Sequence, residues 1–422
     1  MRYIPLWSLG ALAVTFLSIA WTAELPPPDK LPSRPEMPYP LEMLDGRRVN
    51  NRQDWEKQRR PELRALIQHY MYGEYPARPP KVQGQVRFED AQFLNGQGTL
   101  REVELTFGPD DWPKIYLLMA LPNGRTPAPC FVGLNFGGNH LLTAHEKVRI
   151  PTVWMPSHYP GVVKNRATAE GRGRQASVWP LEQILARGYA VATFYCGDIQ
   201  PDRPHVREGM RATLPERPTE TGRETATIMW WAWGIHTAID YLLTDSRVDG
   251  RRLIVVGHSR LGKTALVAGA FDERIAVIIP HQSGCGGAAP SRNHNPKAET
   301  VARINAMFPH WFCGHFKAFG ADVTRLPFDQ NGLIALCAPR PVLLTNAEED
   351  QWANPAGQFE VLRAAAPAYE LYDVPRPIVA DKMPPLNTLS PERLGYFIRP
   401  GKHSMGPEDW KVFMDYCDKW LR

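Results

Sequence analysis

The sequence predicts an α/β fold, a mostly parallel sheet with helices on both faces. Two observations predict it. First, strand-length apolar runs such as Cys130–Asn135, Ala190–Cys196, Leu253–Val256, Ile275–Pro280 and Val342–Asn346 alternate with helix-like stretches. These runs are apolar along their length, as strands buried on both faces are. Second, Gly257-His258-Ser259-Arg260-Leu261-Gly262-Lys263 lies between the run Leu253–Val256 and the helix-like run Thr264–Ala270. Strand, sharp turn and helix around a serine is the context that lifts a nucleophilic hydroxyl out of a sheet.

The elements follow in order. Residues 1–23 read as a secretory signal peptide. Arg2 supplies the positive start, Leu6–Trp21 the apolar stretch, and Ala20, Thr22 and Ala23 the small residues before Glu24. The alternative is an uncleaved anchor, for which the stretch is short. The expected location is secreted or periplasmic, with residues 24–422 forming one catalytic domain and no membrane segment in the mature form. A proline-rich, polar segment leads into a helix over Trp55–Met71, which Pro61 is expected to split. An antiparallel beginning follows at Val82–Phe88, Gly98–Phe107 and Ile115–Leu121. The alternating part comes next, with a long tryptophan-rich helix at Ile228–Leu243 and a final strand at Leu394–Arg399.

Composition narrows the function classes. Apolar residues make up 43% of the 422, enough for a large core. Proline, at 41 residues, is about twice its usual share, which suggests long, stiffened loops. A net charge of +5 with no basic block argues against nucleic acid. Six cysteines, Cys130, Cys196, Cys285, Cys313, Cys337 and Cys417, show no metal-ligand spacing. Export would permit disulfides, and buried free thiols are the alternative. No metal and no cofactor are expected.

A serine nucleophile needs a base, and the base needs an orienting acid. In this strand–elbow–helix setting the chain order is serine, acid, histidine. The strand Pro341–Thr345 runs into Asn346-Ala347-Glu348-Glu349-Asp350-Gln351-Trp352. Asp350 is the first choice by position, with Glu348 and Glu349 as competitors. The strand Leu394–Arg399 runs into Pro400-Gly401-Lys402-His403, and no other histidine follows His315. Ser259, Asp350 and His403 therefore fit order and context together. The other histidines, His258, His281, His310 and His315, read as structural or peripheral. The Arg260 N–H, just after the serine, is the default oxyanion donor. The loop Asn135-Phe136-Gly137-Gly138-Asn139 offers a second, and the Arg260 side chain is placed to reach an oxyanion as well.

The elbow departs from the general pattern, because glycine falls at Gly262 rather than at position 261. Gly-x-Ser-Arg-x-Gly-Lys instead resembles the signature of the glucuronoyl esterases, a family of carbohydrate esterases. The stretches Trp231-Ala-Trp-Gly234, Gln282-Ser-Gly-Cys-Gly-Gly287, Ala302-Arg-Ile-Asn305, Phe308-Pro-His-Trp-Phe312, Leu326-Pro-Phe-Asp-Gln330 and Asp350-Gln-Trp352 carry the same resemblance. It implies an α/β-hydrolase fold and metal-free serine catalysis. The implied substrates are esters joining glucuronic or 4-O-methylglucuronic acid branches of xylan to lignin alcohols. It also implies that Lys263, Glu299 and Trp352 bind uronate hydroxyls and that Arg260 stabilises the oxyanion. A monomer is expected. Two positions depart from the family pattern. Gln282 stands where many members carry the triad glutamate, which leaves the acid to Asp350. Asn331 stands where histidine is common. A related esterase acting on acetylated xylan is the rival enzyme, and a non-catalytic carbohydrate-binding homologue is the rival outside catalysis.

Overall fold

The computed structural model describes residues 25–422 except 125, 205, 214–221 and 379–380. The expected signal peptide lies outside the described residues. Nine strands form one sheet, in the order β1-β2-β3-β7-β4-β8-β9-β10-β11. They are β1 (Gln83–Phe93), β2 (Gly98–Thr106), β3 (Ile115–Pro122), β4 (Ala128–Asn135), β7 (Ala190–Tyr195), β8 (Val248–His258), β9 (Ile275–His281), β10 (Val342–Ala347) and β11 (Leu394–Arg399). The two-residue strands β5 (Val162–Val163) and β6 (Arg166–Ala167) pair separately, in a long loop.

The first three strands are antiparallel, and β3 pairs antiparallel with β7. All later neighbours are parallel. The edge strand β1 is mostly exposed and carries Arg87, Glu89 and Asp90, charges that discourage edge-to-edge pairing. It runs to Phe93, beyond the predicted Phe88.

Alternate residues of the central strands feed two separate cores. On β8, Leu253 and Val255 join one, while Ile254 and Val256 join the other. The first core is covered by the helices Thr227–Leu242 and Arg260–Phe271, the second by Leu181–Ala186 and Pro407–Leu421. A sheet covered on both faces needs apolar residues at odd and even positions alike, hence the unbroken apolar runs. The helix Thr227–Leu242 is buried on nearly all sides. Its Trp231 and Trp233 indoles donate to the carbonyls of Gln200 at 2.9 Å and Ala77 at 3.0 Å.

Pro61 does not split its helix. The chain stays helical over 52–72, with a widened turn at Trp55–Arg59 just before the proline. There the Arg60 N–H reaches back five residues to the Trp55 carbonyl. The wider turn accommodates a residue that has no N–H and crowds the preceding carbonyls. All six cysteines are buried and free, so the second reading of them holds. Asn331 also finds a place, donating to the Pro38 carbonyl at 2.9 Å and tying the N-terminal segment to the body. Among the described residues no helix is long and apolar enough to cross a membrane.

Candidate active site

The carboxyl ends of the parallel strands are nearly flush. His258 at the end of β8 pairs in register with His281 of β9, and Ala347 of β10 with Arg399 of β11. Loops leaving these ends converge, as they do in α/β enzymes generally.

Ser259 has φ 59° and ψ −126°, strained for a residue with a side chain. Its N–H donates to the His281 carbonyl at 3.0 Å, and its carbonyl accepts from Gly262 and Lys263. The glycine spacing now has a reason. A Cβ on Gly257 would lie 2.1 Å from the Leu261 carbonyl oxygen, so the turn folds back onto that position. Leu261 itself points into the core and tolerates a side chain. The tight approach falls one residue later. A Cβ on Gly262 would lie 2.8 Å from the His281 oxygen and 3.0 Å from that of Gly257. The helix Arg260–Phe271 begins directly after Ser259, so its first N–H groups face the elbow.

Two zippered loops bring the acid to the histidine. The N–H groups of Glu348 and Glu349 donate to the carbonyls of Arg399 and Gly401 at 2.9 and 3.0 Å. The Glu348 and Glu349 side chains are spent on the solvent side. Asp350 turns inward, 5% exposed in its side chain, and its Oδ2 lies 2.6 Å from His403 Nδ1. The His403 side chain is 41% exposed.

The loop carrying His403 is held from three sides. The Arg399 guanidinium donates to the Ser404 carbonyl at 2.9 Å and to Asp409 at 2.7 Å. His281 Nε2 donates to the same carbonyl at 2.8 Å, while its Nδ1 accepts from the Thr345 hydroxyl at 2.7 Å. Burial lowers the His281 pKa, and the neutral ring that results suits this pattern. Gln282 Oε1 accepts from the Ser404 N–H at 3.0 Å. His258, next to the serine, packs on His403 with ring centroids 4.4 Å apart. Burial holds its pKa well below the ordinary value, so it adds no charge there. His258 and His281 are thus walls of the site rather than peripheral residues.

Arg260 is neither exposed nor loose. Its guanidinium lies 5.2 Å from the Phe136 ring centroid and 5.1 Å from that of Trp311. Its Nη1 meets Asp202 Oδ2 at 3.1 Å. Phe136 belongs to the loop after β4, which Asn135 braces by accepting from the Gly138 N–H at 2.8 Å.

Lys263, one helical turn beyond the elbow, is 4% exposed and donates to the Ser283 carbonyl at 2.6 Å. Burial lowers its pKa, with the Glu299 charge opposing. Burial raises the Glu299 pKa, with Lys263 and a hydrogen bond from Trp352 opposing. Glu299 N–H also donates to the Trp352 carbonyl at 3.1 Å. The indole of Trp352 is 37% exposed and carries the Arg303 guanidinium over its ring at 4.4 Å. An ammonium, a carboxylate and an indole therefore gather around Lys263, one helical turn beyond the serine.

Asp202 was not singled out in the sequence. His310 and Trp311 lie in the motif Phe308–Phe312 and Phe136 in the loop Asn135–Asn139, but no spacing links Asp202 to either.

A family profile described as "Glucuronyl esterase, fungi" matches residues 182–373. A prokaryotic relative, carbohydrate esterase MZ0003 from an unknown organism, is 40% identical over 395 residues, covering 90% of this chain and 89% of its own. The solved glucuronoyl esterase of Solibacter usitatus is 35% identical, covers 93% of this chain and 100% of its own, and superposes with a TM-score of 0.84.

The chain belongs to the glucuronoyl esterase family.

A promiscuous esterase of carbohydrate esterase family 15 from a marine bacterial metagenome is 39% identical, with a TM-score of 0.85 over 93% of this chain and 99% of that one. As a glucuronoyl esterase this protein is an α/β-hydrolase and a carboxylic ester hydrolase.

Proposed function

We propose that this protein hydrolyses esters of glucuronic or 4-O-methylglucuronic acid on xylan, with lignin-type alcohols as the leaving groups. The observation that carries the reading is the 2.6 Å contact between His403 and Asp350 beside a serine at a strained elbow. In this reading Ser259 attacks the uronoyl carbonyl and His403 takes its proton at Nε2. Asp350 holds the Nδ1 proton and steadies the imidazolium. The tetrahedral oxyanion is met by the Arg260 N–H and guanidinium. His403 then protonates the departing alcohol, and water releases the uronate by the same steps in reverse roles.

Lys263, Glu299 and Trp352 suit a sugar. The ammonium donates, the carboxylate accepts, and the indole offers a flat apolar face with one N–H. Export by residues 1–23 and action as a single-domain monomer belong to the same proposal.

A panel of esters tests it. Methyl and benzyl esters of glucuronate should be hydrolysed with a far larger kcat/KM than acetylated xylose or xylan. Preference for the acetyl esters would replace this reading with the acetyl xylan esterase one.

A further inference from the structure

Resting on that reading of Ser259 and Arg260, we infer that Asp202 is a positioning residue that fixes the Arg260 guanidinium for the oxyanion. Asp202 lies in the loop after β7, beside the carboxyl ends of the strands that carry the site. Its carboxylate divides its work between two oxygens. Oδ1 accepts from His310 Nε2 at 2.8 Å and from Trp311 Nε1 at 2.7 Å. Oδ2 faces Arg260 Nη1 at 3.1 Å. With Oδ1 tied down by two rings, the direction of Oδ2 is set, and one edge of the guanidinium is set with it.

The faces of the guanidinium are held as well, by Phe136 and Trp311. Trp311 therefore acts twice, once through its ring on Arg260 and once through its N–H on Asp202. An arginine has many rotamers, and ordering one during the reaction would cost entropy in the transition state. Here the ordering is done in the resting protein, which is what electrostatic preorganisation requires. Arg260 Nε remains a buried donor without a partner, so the anchored edge does not exhaust the group.

The anchor stays charged. Burial pushes the Asp202 carboxyl up, but the His310 hydrogen bond, Arg260 and Trp311 outweigh it and leave the pKa below the usual range. Tyr159, which hydrogen-bonds Arg260, and Cys196 also face this pair, and burial keeps both protonated.

The test is a double-mutant cycle on a glucuronate ester. Asp202→Asn should lower kcat with little change in KM, by less than the roughly 10²–10³-fold expected for removing an oxyanion donor outright. Arg260→Ala should show that larger loss, and adding Asp202→Asn to it should cost nothing more. Trp311→Phe keeps the ring over Arg260 and removes one donor to Asp202. It should fold normally and show a smaller loss, again in kcat. Losses that multiply in the double variant would overturn the inference, as would a loss confined to KM. Wild-type kcat in Trp311→Phe together with a multiplicative Asp202 effect would do the same. An Arg260→Ala variant with full kcat, alongside an inactive Ser259→Ala, would instead remove the oxyanion role of Arg260 while leaving the serine esterase reading intact.

Discussion

Asp350 Oδ2 and His403 Nδ1 lie 2.6 Å apart although 53 positions separate them in the chain. The contact is a product of sheet topology. β10 and β11 are parallel neighbours, and the loops leaving them hydrogen-bond to each other before either residue is reached.

If Asp350 orients His403, Asp350→Asn should keep the fold and lower kcat by about 10⁴, because an amide favours the wrong tautomer. Glu348→Gln and Glu349→Gln should leave kcat near that of the wild type, since both side chains are exposed. Steady-state kinetics on a glucuronate ester, with melting temperature as the folding control, separates the three. Gln282 touches the N–H next to His403, so Gln282→Glu in the Asp350→Asn background should recover part of the activity.

Sugar recognition predicts selective losses. Trp352→Ala removes a half-exposed ring and should raise KM for glucuronate esters with much less effect on a simple acetyl ester. Lys263→Met keeps the buried stem and removes the ammonium, and should show the same selectivity. Equal losses on both substrates would point to structural damage.

Asp198 predicts a pH effect on stability. It sits in the turn after β7, and its pKa is raised to about 7 by burial first and by nearby Glu102, against Arg149. A carboxyl whose folded pKa exceeds its unfolded value near 4 gives stability that is full below pH 4. That stability is lost as pH rises through about 7. Between pH 5 and 8 the wild type should lose on the order of 2–3 kcal/mol through this group. Asp198→Asn cannot ionise, so its melting temperature should gain on the wild type as pH rises over that range. Parallel pH profiles for the two proteins would contradict this.

The sequence made the parallel sheet legible because each central strand is apolar at odd and even positions, as on β8, where neighbours enter opposite cores. The positions of Ser259, Asp350 and His403 were legible because each follows a recognisable strand end. Asp350 was the first choice by position, but the sequence carried no reason to set aside Glu348 and Glu349, since which side chain turns inward depends on how two loops zip together. Nor was the Asp202–His310–Trp311 anchor legible, because Asp202 lies more than a hundred residues from the adjacent pair His310 and Trp311 and meets them only across folded loops. Pro61 misled because a widened helical turn can absorb it.

Ser259→Ala tests the central claim most directly. Measured on a methyl or benzyl glucuronate ester, its kcat should fall by about 10⁶, as for other triad serines removed alone. Calorimetry should show glucuronate binding unchanged, since Lys263, Glu299 and Trp352 are untouched. Turnover close to that of the wild type, in a preparation free of contaminating esterase, would contradict the assignment of Ser259 as the nucleophile.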